Sequence, residues 1–361
     1  MTAVANTTGS IPGFHEGRIE VLVRLLDRFV EQGMLVGGVL GVVDRAGATL
    51  LHAFGVGGTV DQPEPIRVDH RFLITSITKQ FTGTQVLQLV EAGEIDLEAP
   101  VAVYIPEFAN NGKDRVTTRQ LLTHTSGMDQ TSNTTEAYES TLTAADHLQN
   151  AFDAELSWQP GEWFEYNSPG FWVLAELVTR LSGMHYTDEL REAILDPLRM
   201  EDTRYETQPS MPDRFVPVQG HRGGLPEQVR RLAYPAGGIV STAADLLRFG
   251  CCFLNQGTLD GARILGPATV AALWRPYVET TYQERRTSWG LGWQLGGPGD
   301  LRSERSLFQS GGSGTAMWVD PDHGLSVVLL TAKSSQYGLS WRIYSQIVNA
   351  VLGCLSVGDR A

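Results

Sequence analysis

Lysine is nearly missing from this chain. Lys79, Lys113 and Lys333 are the only three among 361 residues, and arginine supplies almost all of the remaining positive charge. An amine that burial can bring to titrate near neutral pH is therefore scarce, whereas a guanidinium stays charged throughout. Cysteine is equally sparse: Cys251 and Cys252 are neighbours in an apolar run and Cys354 lies in another. Adjacent cysteines bridge poorly and none has zinc-ligand spacing, so all three read as core residues of a chain kept reduced. Excess positive charge is also absent. A net charge of −13 disfavours nucleic-acid backbones and anionic membrane surfaces as partners. No run approaches the roughly 20 apolar residues that a membrane helix needs. Met1–Ser10 holds no basic cluster followed by an apolar run, so no secretory signal is expected and the expected location is cytoplasmic. No His, Asp or Glu cluster has ligand spacing, and neither a metal nor another cofactor is expected.

What is present is enough for a large core, with 42% hydrophobic residues. Arg18–Gln32 carries Ile19, Val21, Leu22, Leu25, Leu26, Phe29 and Val30 as an amphipathic helix, with Gly33 as its stop. The runs Val36–Val43 and Ala48–Phe54 flank Asp44-Arg-Ala-Gly47 and predict a hairpin. From about 99 to 234 the pattern is mostly helices and long loops, Val173–Leu181 and Asp188–Leu195 being the clearest helices. Beyond Pro235 come a helix capped by Ser241–Asp245, a short one over Ala268–Trp274, and a closing helix over Leu339–Leu352. Strands are expected over Trp289–Leu295, Arg305–Gln309, Thr315–Val319 and Leu325–Thr331. An α+β fold follows: one antiparallel sheet built from both chain ends and flanked by helices, carrying a mostly helical inserted lobe. The whole chain is expected to form one catalytic domain, with an α/β lobe of about 12–98 and 235–361.

The most informative segment is Phe72-Leu-Ile-Thr-Ser-Ile-Thr-Lys-Gln-Phe81, which places Ser76 three residues before Lys79. On a helix, residues i and i+3 share a face, so hydroxyl and amine come within reach. Helix-compatible residues continue to Glu91-Ala-Gly93, and Phe81, Val86, Leu89 and Val90 give the helix an apolar face. Lys79 in the first turn of such a helix is a poorly solvated cation, and desolvation favours the neutral amine that can take the serine proton. The amide of Ser76 would point into the site at the positive end of the helix dipole.

Four further segments follow in order. They are Leu121-Leu-Thr-His-Thr-Ser-Gly-Met128, Trp158-Gln-Pro-Gly-Glu-Trp-Phe-Glu-Tyr-Asn-Ser-Pro-Gly-Phe171, Pro235-Ala-Gly-Gly-Ile-Val-Ser-Thr-Ala243 and Phe308-Gln-Ser-Gly-Gly-Ser-Gly-Thr-Ala-Met-Trp-Val-Asp-Pro321. With Ser76-x-x-Lys79, this order resembles the serine β-lactamase and penicillin-binding-protein family, class C β-lactamases, DD-peptidases and carboxylesterases included, over about residues 37–331. The resemblance implies a β-lactamase/transpeptidase-like fold and a serine acyl-enzyme. It also implies a second motif Tyr-x-Asn, matched by Tyr166-Asn167-Ser168, and a third motif Lys-Thr-Gly or His-x-Gly. Counting back from Gly314-Thr315 puts Gln309-Ser310-Gly311 at the third motif; a start at Ser310 is the other alignment. Tyr166 is then expected to share protons with Lys79, as base toward Ser76 and acid toward the leaving group. The amides of Ser76 and Gly312 are expected to hold the oxyanion, and Ser168, Gln309, Ser310 and Gly311 to meet substrate.

Two positions depart from the family: Ser168 replaces the asparagine, and neutral Gln309 replaces the cation that helps hold a substrate carboxylate. The departures favour esterase, amidase or acyl-transfer chemistry on a small or peptide-like, less charged substrate, a natural product included. A DD-peptidase or β-lactamase is the first rival, and a silent binding protein on the same fold the second. His124 reads as structural within its turn. Ser313 lacks the Gly-x-Ser-x-Gly spacing of a nucleophile elbow. Trp158, Trp163, Trp289 and Trp293 are candidates for an aromatic acyl pocket. Hydrolysis and transfer to another nucleophile are not distinguished by these residues, nor is an oligomeric state.

Overall fold

The computed structural model describes residues 13–58, 62–129, 142–208, 214–219, 225–331, 333 and 340–356; Met1–Ser10 and Leu339 lie outside them. The helix Glu16–Glu31 buries Ile19, Leu22, Leu25, Leu26 and Phe29 along one stripe. Gly33, at φ 65°, lets the chain turn out of it. Strands β1 (Gly37–Asp44) and β2 (Thr49–Gly58) form the expected hairpin, in register from Val43 opposite Thr49 to Gly37 opposite Gly55. The Asp44 side chain closes its turn by accepting from the Ala48 amide at 2.8 Å.

A short β3 (Pro63–Pro65) edges β2, and β4 (Phe72–Leu73), β5 (Arg204–Tyr205) and β6 (Ile239–Ser241) make a separate three-stranded patch. After the small hairpin β7 (Thr258–Leu259) and β8 (Ala262–Arg263) come β9 (Val278–Tyr282), β10 (Arg285–Trp289), β11 (Gln294–Leu295), β12 (Leu307–Gly311), β13 (Thr315–Asp320) and β14 (Leu325–Thr331). Among the described residues the main sheet has nine strands in the order β3-β2-β1-β14-β13-β12-β11-β10-β9, each pair antiparallel. Pairing of β1 with β14, from Gly38 opposite Thr331 to Asp44 opposite Leu325, joins the two ends of the chain.

Both faces of this sheet are covered, which is why its central strands read as nearly unbroken apolar runs. Val39 and Val43 face one core; Leu40 and Val42 face the other, as period-2 geometry requires. The helices Glu16–Glu31 and Trp341–Leu352 cover the second face, and Ala243–Leu254 lies against the first. Close approach of that last helix depends on Gly250, where a Cβ would stand 2.0 Å from Ser326 Oγ. Cys251, Cys252 and Cys354 are buried free thiols.

Two expectations are corrected and one unexpected element is added. The strand over Trp289–Leu295 is broken: β10 ends at Trp289, and Gly292, at φ 82°, bends the chain before β11. Asp188–Leu195 is not one α-helix but Tyr186–Leu190 continued by a π-turn over Arg191–Leu195. The β9–β10 hairpin was not anticipated, because Gln283 and Glu284 take the left-handed turn positions that Asn-Gly usually marks. Among the described residues no helix is long and apolar enough to cross a membrane.

Candidate active site

Leaving β4, the chain passes through a 3₁₀ turn, Thr75–Ile77, into the helix Thr78–Glu91. Thr75 holds φ 42°, a left-handed conformation costly for a β-branched residue. The turn after β12 keeps it there. Ser313 donates its amide to Thr75 Oγ1 at 3.3 Å, its hydroxyl donates to the Leu73 carbonyl at 2.6 Å, and Thr315 Oγ1 donates to the Ile74 carbonyl at 3.0 Å. Ser313 is thus a strap between two loops, consistent with its exclusion as a nucleophile. At Gly311 a Cβ would lie 2.2 Å from Thr75 Oγ1 and 2.4 Å from the Ile74 carbonyl, so this glycine serves loop packing. At Gly312 a Cβ would meet nothing within 4 Å.

The spacing of Ser76 and Lys79 delivers the expected contact, with Lys79 Nζ 3.2 Å from Ser76 Oγ. Lys79 is 1% exposed and also donates to the Ala236 carbonyl at 3.2 Å. Ala236 belongs to a segment that runs beside the site helix: Thr82 Oγ1 donates to the Pro235 carbonyl and the Ile239 amide to Thr78 Oγ1. Burial alone pulls the Lys79 amine down to about 7. Lys113, also buried, differs because Asp153 and Glu155 oppose the desolvation that lowers it.

Tyr166 completes the cluster. Its ring centroid lies 4.9 Å from Lys79 Nζ, and its hydroxyl hydrogen-bonds Ser76. Burial, reinforced by Tyr282, pushes its phenol far above the usual range, so it is a neutral proton donor at working pH. His124, Tyr282 and Trp289 surround the ring at 4.5, 5.5 and 5.7 Å. His124 is buried and held uncharged, chiefly by desolvation and then by the nearby Lys79; its Nδ1 accepts the Asn167 amide at 3.0 Å. That is a structural role. Asn167, which sequence reasoning passed over, clamps the same turn by donating to the Met128 carbonyl at 2.8 Å and accepting from the Gly170 amide at 2.8 Å.

Gln309 does not present itself to substrate in the way expected. It is 4% exposed, and its Nε2 donates to the Tyr166 hydroxyl at 3.2 Å and to the Ser310 carbonyl at 2.7 Å. Its Oε1 accepts from Gln80 Nε2 at 3.0 Å, and that nitrogen also donates to the Gly292 carbonyl at 3.0 Å. Of the two alignments of the third motif, the one starting at Gln309 fits this contact with Tyr166. Ser168 is buried, and its carbonyl accepts the Phe171 amide at the start of the helix Gly170–Ser182. The four tryptophans do not gather. Trp289 packs on Tyr166 and Trp293 on Phe253, while Trp158 and Trp163, 45% and 60% exposed, meet each other at a tilt, ring centroids 6.1 Å apart.

A buried amine beside a serine hydroxyl, a phenol beside both, and a broad antiparallel sheet between helical layers define a serine hydrolase of the β-lactamase fold. The chain belongs to the Beta-lactamase family, whose model matches residues 22–346. It is 32% identical over 309 residues to "Penicillin-binding protein 4" of Amycolatopsis lactamdurans, covering 81% of this chain and 78% of that one. It is 29% identical over 360 residues to "Esterase EstB" of Burkholderia gladioli, covering 85% and 88%. Among solved structures, "EstCE1, a hydrolase with promiscuous acyltransferase activity" superposes with a TM-score of 0.80 at 22% identity, covering 94% of this chain and 99% of that one.

Proposed function

We propose that Ser76 forms an acyl-enzyme with an ester, amide or other acyl donor on a small or peptide-like molecule. Neutral Lys79 takes the Ser76 proton as Oγ attacks the acyl carbon. The amides of Ser76 and Gly312 hold the oxyanion, a contribution of about 3 kcal/mol per donor. Collapse expels the leaving group, which takes a proton from Tyr166, and Lys79 returns one to the phenol. Water, or an acceptor alcohol or amine, then releases the acyl group by the reverse sequence.

The observation that carries this reading is the 3.2 Å Lys79–Ser76 contact, with the amine brought to about 7 by burial. The likeness to Esterase EstB and to EstCE1, a hydrolase with promiscuous acyltransferase activity, supports ester cleavage and acyl transfer as the chemistry. The test is intact-mass spectrometry after a fluorophosphonate probe. One adduct on the wild type and none on Ser76→Ala is the expected result; no adduct on either, when a related control enzyme is labelled, would leave a binding protein. The likeness to a penicillin-binding protein keeps a second reading in play, DD-peptidase or β-lactamase activity. Efficient hydrolysis of a chromogenic cephalosporin would favour that second reading. A reducing, cytoplasmic location is proposed as well, supported by the three buried free thiols; cell fractionation decides it.

A further inference from the structure

Acceptor-only groups fix both side-chain amides beneath Tyr166. The Gly292 carbonyl can only accept, so the Gln80 atom 3.0 Å from it is the nitrogen. The Ser310 carbonyl likewise fixes the Gln309 nitrogen at 2.7 Å. With both amides so oriented, Gln80 donates to Gln309 Oε1 at 3.0 Å, and Gln309 donates its remaining N–H to the Tyr166 oxygen at 3.2 Å. Two consequences follow from counting donors. The phenol oxygen is occupied by an N–H, so its own proton is directed away from Gln309. And Gln309 has two N–H groups, both committed to the protein, which leaves none for a ligand.

We infer that Gln80 and Gln309 act as one specificity-determining unit, holding Tyr166 as a proton donor and making the site selective for acyl donors without a carboxylate. The inference rests on the acyl-enzyme reading and deepens it. A carboxylate arriving beside Gln309 would lose water and find no spare N–H on that side chain, a penalty that burial makes large. A neutral alkyl or aryl acyl group loses nothing there. Gln80 is a positioning residue because it acts through Gln309, and Gln309 acts through Tyr166.

The test compares 4-nitrophenyl butyrate with mono-4-nitrophenyl succinate, acyl groups of similar length that differ in a terminal carboxylate. Rates are expressed per Ser76 labelled by fluorophosphonate, so that unfolded protein drops out. Wild type should prefer the butyrate in kcat/KM by at least about tenfold. Gln80→Met removes the donor that fixes Gln309; kcat on ethyl butyrate, whose leaving group needs the Tyr166 proton, should fall about fivefold to tenfold with KM little changed, and the preference for 4-nitrophenyl butyrate over the succinate should shrink. Gln309→Lys should shrink it further. A merely structural Gln80 would lower the labelled fraction and leave the preference untouched, which would overturn the inference, as would a wild type that handles both esters equally. Failure of wild type to label at all would instead remove the acyl-enzyme reading beneath it.

Discussion

Lys79 donates to the carbonyl oxygen of Ala236 at 3.2 Å, and this neutral acceptor, rather than a carboxylate, is its partner deep in the site. A carboxylate there would have kept the amine charged; a carbonyl steers it and leaves desolvation to lower its proton affinity to about 7. The rate of Ser76 acylation should therefore follow the fraction of neutral Lys79. We expect kcat/KM to rise about tenfold per pH unit below pH 7 and to level off above it. A profile flat between pH 5 and 8 would show that Lys79 is not the base.

The same burial should cost stability. In the unfolded chain the amine binds its proton up to 10.5, and in the folded chain only up to about 7. Between those values the unfolded state holds the extra proton, so wild-type stability rises with pH through that window. Lys79→Met removes the penalty but leaves the Ala236 carbonyl without its donor, a loss of about 1–3 kcal/mol. We expect an inactive variant more stable than wild type by about 2 kcal/mol at pH 7, with the advantage shrinking toward pH 9.5. Urea unfolding at both pH values reads this directly, and a variant less stable at pH 7 would contradict it.

Much of this was legible in the residues. Ser76 and Lys79 meet because i and i+3 share a helical face, and Gly33 and Gly93 end their helices where backbone freedom was needed. The central strands announced themselves through apolar runs, since both faces of the sheet are covered. What escaped was carried by backbone or by distant partners. The Ala236 and Gly292 carbonyls have no side-chain signature, so their contacts with Lys79 and Gln80 could be found only in three dimensions. Gln80 looked like any helix residue until the bend at Gly292 brought β11 and β12 beside it. The β9–β10 ribbon is mostly polar and turns at Gln283–Glu284, leaving periodicity little to detect.

Loop packing around the nucleophile should be sensitive to a single methyl group. Gly311→Ala places a carbon within 2.4 Å of both Thr75 Oγ1 and the Ile74 carbonyl, and the latter is backbone that cannot rotate away. Separation of β12 from the Thr75–Ile77 turn would also loosen the Ser313 amide from Thr75, which already holds an unfavourable φ of 42°. A destabilisation of about 2–3 kcal/mol is expected, together with a fall in fluorophosphonate labelling beyond what the unfolded fraction explains. Thermal unfolding and labelling kinetics on one preparation test both. Wild-type Tm and labelling rate in this variant would mean that the two loops are not held together as described.

Tyr166 is held as a phenol, and its proposed task is to protonate the departing group. Tyr166→Phe keeps the ring that packs on His124, Tyr282 and Trp289 and removes only the hydroxyl, so the fold should persist. A general acid matters in proportion to the basicity of what leaves. Nitrophenolate departs readily as an anion, whereas an alkoxide needs a proton in the transition state. We therefore expect Tyr166→Phe to lower kcat/KM for an ethyl ester by about 10²–10⁴-fold and for the matching 4-nitrophenyl ester by much less. Equal losses on both esters would assign the hydroxyl to activating Ser76 instead, and would move the donor of the leaving-group proton to Lys79, whose Nζ lies 3.2 Å from Ser76 Oγ.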